Sequence, residues 1–77
     1  MRNSAVHGSE LSEIQNALGF TRREMAAAMG VHYQTLTKWL LDERTPDNAA
    51  LQLARLLLWL HRRGMLDDWM EDAANDD

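Results

Sequence analysis

The stretch from Thr21 to Trp39, TRREMAAAMGVHYQTLTKW, constrains the fold more than any other part of the chain. Its spacing predicts two short helices joined by a tight turn at Gly30. Thr21 is suited to cap the first, because its hydroxyl can accept a backbone N–H that the helix leaves unpaired. Glu24, three residues on, completes the pattern of a capping box. Met25, Ala26 and Met29 then fall on one face. Ala26 is small where a neighbouring helix would cross closely. Glycine has no Cβ to clash when the chain leaves a helix at positive φ, which is the role expected of Gly30. Val31 follows as an apolar plug, and the second helix is expected from His32 to Leu41.

That second helix has two faces. At about 100° per residue, Leu36, Trp39 and Leu40 share one side. Gln34, Thr37, Lys38 and Leu41 share the other, with His32 and Tyr33 at the N-terminal tip. Amide, hydroxyl and ammonium groups read base edges and hold phosphates. A helix–turn–helix offers such a helix to the major groove of DNA. The same spacing also fits a helical hairpin in a small bundle whose polar face is simply wet.

Residues 18–46, LGFTRREMAAAMGVHYQTLTKWLLDERTP, resemble the helix–turn–helix of the phage repressor and Cro family. The matching features are LGFT before the first helix, Ala26, Gly30 with Val31, Leu36, and TKW followed by RTP. The resemblance can be followed through Leu57. It implies an all-α fold, a compact five-helix lambda-repressor-like DNA-binding domain. It also implies roles for residues. His32, Tyr33, Gln34, Thr37 and Lys38 would face bases, while Arg22, Arg23, Thr35 and Arg44 would face phosphates. Arg22 aligns with the position that usually touches the DNA backbone at the start of this helix. Arg44 lies in the segment that crosses the backbone, with Asp42 and Glu43 beside it. The chain departs from the family pattern at Leu40, where glutamate is usual, at Asp42, where glycine is frequent, and at His32, where serine or threonine is common. Small proteins of this kind include Cro proteins and the anti-CRISPR-associated autorepressors of mobile elements, and the residues do not choose between them.

Seventy-seven residues make one domain with a small core, marginal by itself. There is no cysteine to staple it, so a partner chain is the remaining source of stability. The apolar run LLLWL is far too short to cross a bilayer, and Met1 to Gly8 has no apolar signal-peptide core. A soluble, cytoplasmic protein is expected, with no membrane association. The net charge of −4 is unevenly spread. Residues 1–64 carry all 8 Lys and Arg and a net +2, whereas residues 65–77 carry 6 acids, no base and −6. Affinity for DNA needs local phosphate contacts rather than a positive total, and a local +2 suggests that binding depends on dimerisation.

The remaining organisation follows from caps and stripes. Residues 1–8 read as a flexible arm, in which Arg2 either reaches a groove or phosphate or belongs to a disordered tail. Residues 9–72 read as the DNA-binding and dimerisation domain. Its first helix, Ser9 to Leu18, has Leu11, Ile14 and Leu18 as an inward stripe. Gly19 ends it, and Phe20 is placed as a hydrophobic staple. Pro46 fixes the turn before a fourth helix, which Asp47 caps and Gly64 stops after Arg63. Ala50, Leu53, Ala54, Leu57 and Leu60 form its expected core stripe, with Leu51 and Leu58 outside it. Met25, Ala26, Met29, Val31, Leu36 and Trp39 complete the expected core. Leu56 to Leu60 is apolar all round, so either the last segment or another subunit covers the second face. Met65 to Asp72 reads as a fifth helix striped by Leu66, Trp69 and Met70. Leu58, Trp59, Leu66, Trp69 and Met70 are the expected dimer surface, although Leu66, Trp69 and Met70 of the last segment would serve equally to cap the monomer's own core. Residues 73–77 read as an acidic disordered tail.

No catalytic constellation is visible. His7, His32 and His61 lack zinc spacing, and no Gly-rich phosphate loop or nucleophile elbow is present. Asp67, Asp68, Glu71 and Asp72 lack the spacing and central glycine of a calcium loop. No enzyme, cofactor, metal or small-molecule ligand is expected. The expected function is a sequence-specific DNA-binding regulator, a dimeric repressor on an inverted-repeat operator in double-stranded DNA, regulating its own gene. The alternative is a protein-interaction module on the same fold, an antitoxin or a phage protein that binds a partner enzyme through its acidic and apolar C-terminal segment.

Overall fold

The computed structural model describes residues 5–75, and those residues form five helices and no strand. They are α1 (Ala5–Leu18), α2 (Arg22–Met29), α3 (Tyr33–Leu40), α4 (Asn48–Arg62) and α5 (Leu66–Asn75). The helix starts follow side-chain chemistry. Thr21 Oγ1 accepts from the Glu24 backbone N–H at 3.1 Å, and Glu24 Oε1 accepts from the Thr21 N–H at 2.8 Å. This reciprocal pair is the capping box. Asp47 Oδ1 accepts from the Ala50 N–H at 2.8 Å and starts α4. His32 occupies the N-cap of α3 but makes no side-chain bond there, so the tip of α3 lacks a side-chain cap.

The helix ends share one device. After α2, Gly30 takes the left-handed conformation (φ 72°, ψ 31°). Its N–H bonds Ala27 O at 3.2 Å, and the Val31 N–H reaches back to Ala26 O at 3.0 Å. This is the Schellman arrangement, which satisfies carbonyls that the helix would leave bare. The same paired bonds close α3, from Asp42 N–H to Trp39 O at 3.2 Å and from Glu43 N–H to Lys38 O at 2.8 Å. There the left-handed residue is Asp42, at φ 61°. It stands in the slot where the family frequently has glycine, and aspartate is among the few L-residues that tolerate it.

The largest fully buried side chains come from four different helices: Leu11, Met25, Leu36 and Leu57. α3 packs between α2 and α1, α1 also packs along α4, and α5 folds back on α4. Trp39 is buried, as the register of α3 requires.

Four expectations need correction. The first helix begins at Ala5 rather than Ser9, so residues 5–8 belong to α1 and not to an arm, while Arg2 lies outside the described residues. Glycine inside a helix normally weakens it, but a Cβ on buried Gly8 would sit 2.9 Å from Asp42 Oδ1 and 3.0 Å from Trp39 O. The glycine permits α1 to lie close against the end of α3. On α4, Leu51 is in the core, whereas Leu53, like Val31, is only partly buried. The run Leu56 to Leu60, apolar on every side, sets no phase for α4, and the neighbouring helices set which of its residues point inward. Leu66, expected at a dimer surface, is 5% exposed and enclosed in the core. At the C-terminal end, α5 continues to Asn75, past the expected frayed point at Ala73; Asp76 and Asp77 lie outside the described residues.

A bidentate pair ties α1 to α4. Arg55 Nε donates to Glu10 Oε2 at 2.6 Å, and Arg55 Nη2 donates to Glu10 Oε1 at 2.9 Å. These hydrogen bonds, with the charge of the carboxylate, hold the Arg55 guanidinium above its ordinary pKa.

Two stability outcomes follow from this packing. Leu57→Ala removes a side chain with no exposed surface and is expected to cost about 2–5 kcal/mol. Its exposed neighbour is different: Leu56→Ala should stay within roughly 0.5 kcal/mol. Urea denaturation of the two variants measures the contrast, and equal losses would mean that the phase of α4 is wrong. Asp42→Gly is expected to raise stability, by a few tenths to about 1 kcal/mol, through relief of the left-handed strain. Thermal denaturation reads that gain.

Candidate nucleic-acid interface

The start of α2 and the outer face of α3 make one continuous surface. Arg22 and Arg23 are the first two residues of α2, directly after the Thr21 cap. The Gly30 turn brings that end of α2 beside α3. Arg22 Nη1 donates to Thr37 Oγ1 at 3.3 Å. The Arg22 and Arg23 guanidinium carbons lie 5.8 and 4.5 Å from the centroid of the Tyr33 ring. A cation over an aromatic face is attracted by the ring quadrupole, so Tyr33 holds both arginines against the tip of α3. Neither arginine is ion-paired with an acid among the described residues. The N-terminus of α2 adds the positive end of its own dipole. The result is a local concentration of positive charge with donors facing solvent.

Tyr33, Gln34 and Lys38 are exposed along α3, as is His32 at its cap, and Thr37 is half-buried. By helical phase, Gln34 and Lys38 run down the centre of the outer face. Tyr33 and Thr37 form one flank, the flank that α2 touches. Thr35 lies on the other flank, half-buried, where it lines a shallow concavity with Gly30, Val31, His32, Trp39 and Asp47. The expected base-facing and phosphate-facing residues are therefore mixed on the structure: Arg22 and Arg23 adjoin Tyr33 and Thr37, while Thr35 neighbours His32. Arg44 is exposed, and its backbone N–H bonds Lys38 O at 3.3 Å, which fixes the loop against the last turn of α3.

Of the residues expected at a dimer surface, Trp59, Trp69 and Met70 line two separate concavities. Trp59 is 48% exposed and carries the Arg63 guanidinium 4.3 Å from its ring. With Leu56, Gln52 and Arg55 it lines a shallow concavity on α4. Trp69 and Met70 line a different one with Ala27, Ala28 and Ala73, between α2 and α5. Leu58 and Met70 pack partly against the core. Leu56 and Leu41, neither of them named for the dimer surface, are both exposed, Leu41 on the outer face of α3 where the helical spacing places it. Their positions outside the inward stripes of α4 and α3 were the available signal.

Among the described residues no three of His, Asp and Glu gather in a way that could hold a metal ion. No helix there is long and apolar enough to cross a membrane.

A polar, cation-flanked second helix, set on a first helix by a left-handed turn and backed by a small helical core, defines a helix–turn–helix domain. A family model described as helix–turn–helix matches residues 11–57, more than half of the chain. The chain belongs to that family, in its repressor and Cro type, and is a DNA-binding transcription regulator of lambda-repressor-like fold. No curated protein and no solved structure matches it significantly.

Proposed function

We propose that the chain is a sequence-specific transcriptional repressor that binds an inverted-repeat operator as a homodimer, with α3 in the major groove, and occupies the promoter of its own gene. The observation that carries this reading is the Arg22–Arg23 pair, held by Tyr33 and Thr37 beside an exposed polar helix. Such cations favour phosphates, and the side chains next to them are placed to reach base edges. Gln34 can pair bidentately with adenine, and Lys38 can donate to guanine. His32, Tyr33 and Thr37 complete the base-reading set. Arg22, Arg23, Thr35 and Arg44 serve the backbone.

The division of labour has a direct test. Arg22→Ala and Arg44→Ala should weaken binding to operator and random DNA alike and reduce the salt slope by about 1. Gln34→Ala and Lys38→Ala should lose on the order of 1–3 kcal/mol on the operator and relax the preference at one base. Titrations of each variant at two salt concentrations distinguish the groups. An Arg44→Ala variant that changes the preferred base, beside a Gln34→Ala variant that does not, inverts the assignment. Footprinting upstream of the gene should show half-sites about one helical turn apart.

Dimerisation belongs to the same proposal, because a single recognition helix spans too few base pairs for a useful operator and the family pairs two across a two-fold axis. The exposed tryptophans on α4 and α5 supply apolar surface for it, with Leu58 and Met70 at their margins. The acidic residues of α5 must stay away from phosphates and from their copies, so rising salt should strengthen the dimer while weakening its grip on DNA. Because Trp59 and Trp69 line separate concavities, sedimentation of Trp59→Ala and Trp69→Ala identifies the face. One of them should weaken the dimer by about tenfold or more. Two variants that stay fully dimeric with unchanged operator affinity would move the interface away from the C-terminal helices.

A further inference from the structure

Leu41 is the most exposed large apolar side chain among the described residues, at 57%. Single exposed leucines are ordinary on protein surfaces, but this one has a particular place. It lies three residues after Lys38, four after Thr37 and seven after Gln34, so it continues the central line of the outer face of α3. Its neighbours Trp39 and Leu40 turn inward, one buried and the other half-buried. Its backbone is pinned, with its N–H on Thr37 O at 3.0 Å and the next two turn residues bonded to Trp39 and Lys38 carbonyls. The isobutyl group is thus presented to solvent from a fixed backbone, at the end of a polar row.

α3 has 8 residues, with Leu41 as the C-cap that follows them, and the 8 residues span about 12 Å at 1.5 Å per residue. The major groove is also about 12 Å wide, so both ends of the outer face can lie within it. Phosphates offer an isobutyl group nothing, and Asp42 and Glu43, both exposed directly after Leu41, repel them. Base edges in the major groove are donors and acceptors with one apolar exception, the C5-methyl of thymine. We propose that Leu41 is a specificity-determining residue that packs against a thymine methyl in each half-site. The inference rests on the DNA-reading function proposed above and adds a base to it.

The experiment begins by selecting preferred sites from a pool of random duplexes with the intact protein. Each thymine of the selected site is then replaced by deoxyuridine, which removes the methyl and keeps the pairing edge. The wild-type protein should bind about fourfold more weakly at one position per half-site, the effect of one unburied methyl. Leu41→Ala should bind the thymine and deoxyuridine duplexes equally at that position, and Leu41→Met should keep the discrimination. Leu41 is exposed, so these variants are expected to retain the fold. Discrimination that persists unchanged in Leu41→Ala belongs to another side chain and overturns the inference, as does a wild-type protein indifferent to every replacement. A pool from which no site is enriched overturns the DNA-reading function and this inference with it.

Discussion

One left-handed residue holds the joint surface of α2 and α3 together. Gly30 turns the chain between α2 and α3 with a pair of backbone hydrogen bonds and no help from side chains. An L-residue in that conformation would carry roughly 1–2 kcal/mol of strain. The turn decides where the start of α2 lies, and the contacts of Arg22 with Thr37 and of Arg23 with Tyr33 depend on it. The inward face of α3 then closes the core through Leu36 and Trp39. The surface chemistry and the packing are therefore consequences of the same short connection.

The charge of the chain makes sense only when it is resolved by element. Arg22, Arg23, Lys38 and Arg44 occur on or beside the helix–turn–helix, while α5 carries Asp67, Asp68, Glu71 and Asp72. The first-turn aspartates of α5 lie at the positive end of its dipole, and His61 and Arg62 lie at the negative end of α4. Each helix thus has a local electrostatic reason for its sign. The net −4 of the whole chain averages over two regions of opposite sign.

Much of this was legible from residues alone, for identifiable reasons. The Thr21–Glu24 box and the Gly30 turn are local structures, each specified by residues within one turn of the chain. The faces of α3 could be read because Leu36 and Trp39 alternate with polar positions at helical spacing. α4 resisted, since Leu56 to Leu60 is apolar in every direction, and only α1, α2 and α5 decide that Leu51 is inside and Leu56 outside. Leu66 was misplaced for a similar reason: an amphipathic stripe on a terminal helix fits the monomer's own core as well as a partner. The early start of α1 was hidden by Gly8, which reads as a breaker in sequence. Its reason is a carbonyl of another helix 3.0 Å from where a Cβ would stand.

The recognition helix is restrained at both ends by backbone. The Gly30 turn precedes it, and the Asp42 turn and the close approach of Gly8 follow it. None of the three depends on what Gln34, Lys38 or Leu41 happen to be. Substitutions at exposed positions of this kind usually change stability by no more than about 0.5 kcal/mol. A lineage carrying this scaffold can therefore exchange the exposed residues of α3 one at a time, passing through intermediates that fold. The chemistry of that outer face is free to change while the architecture stands still.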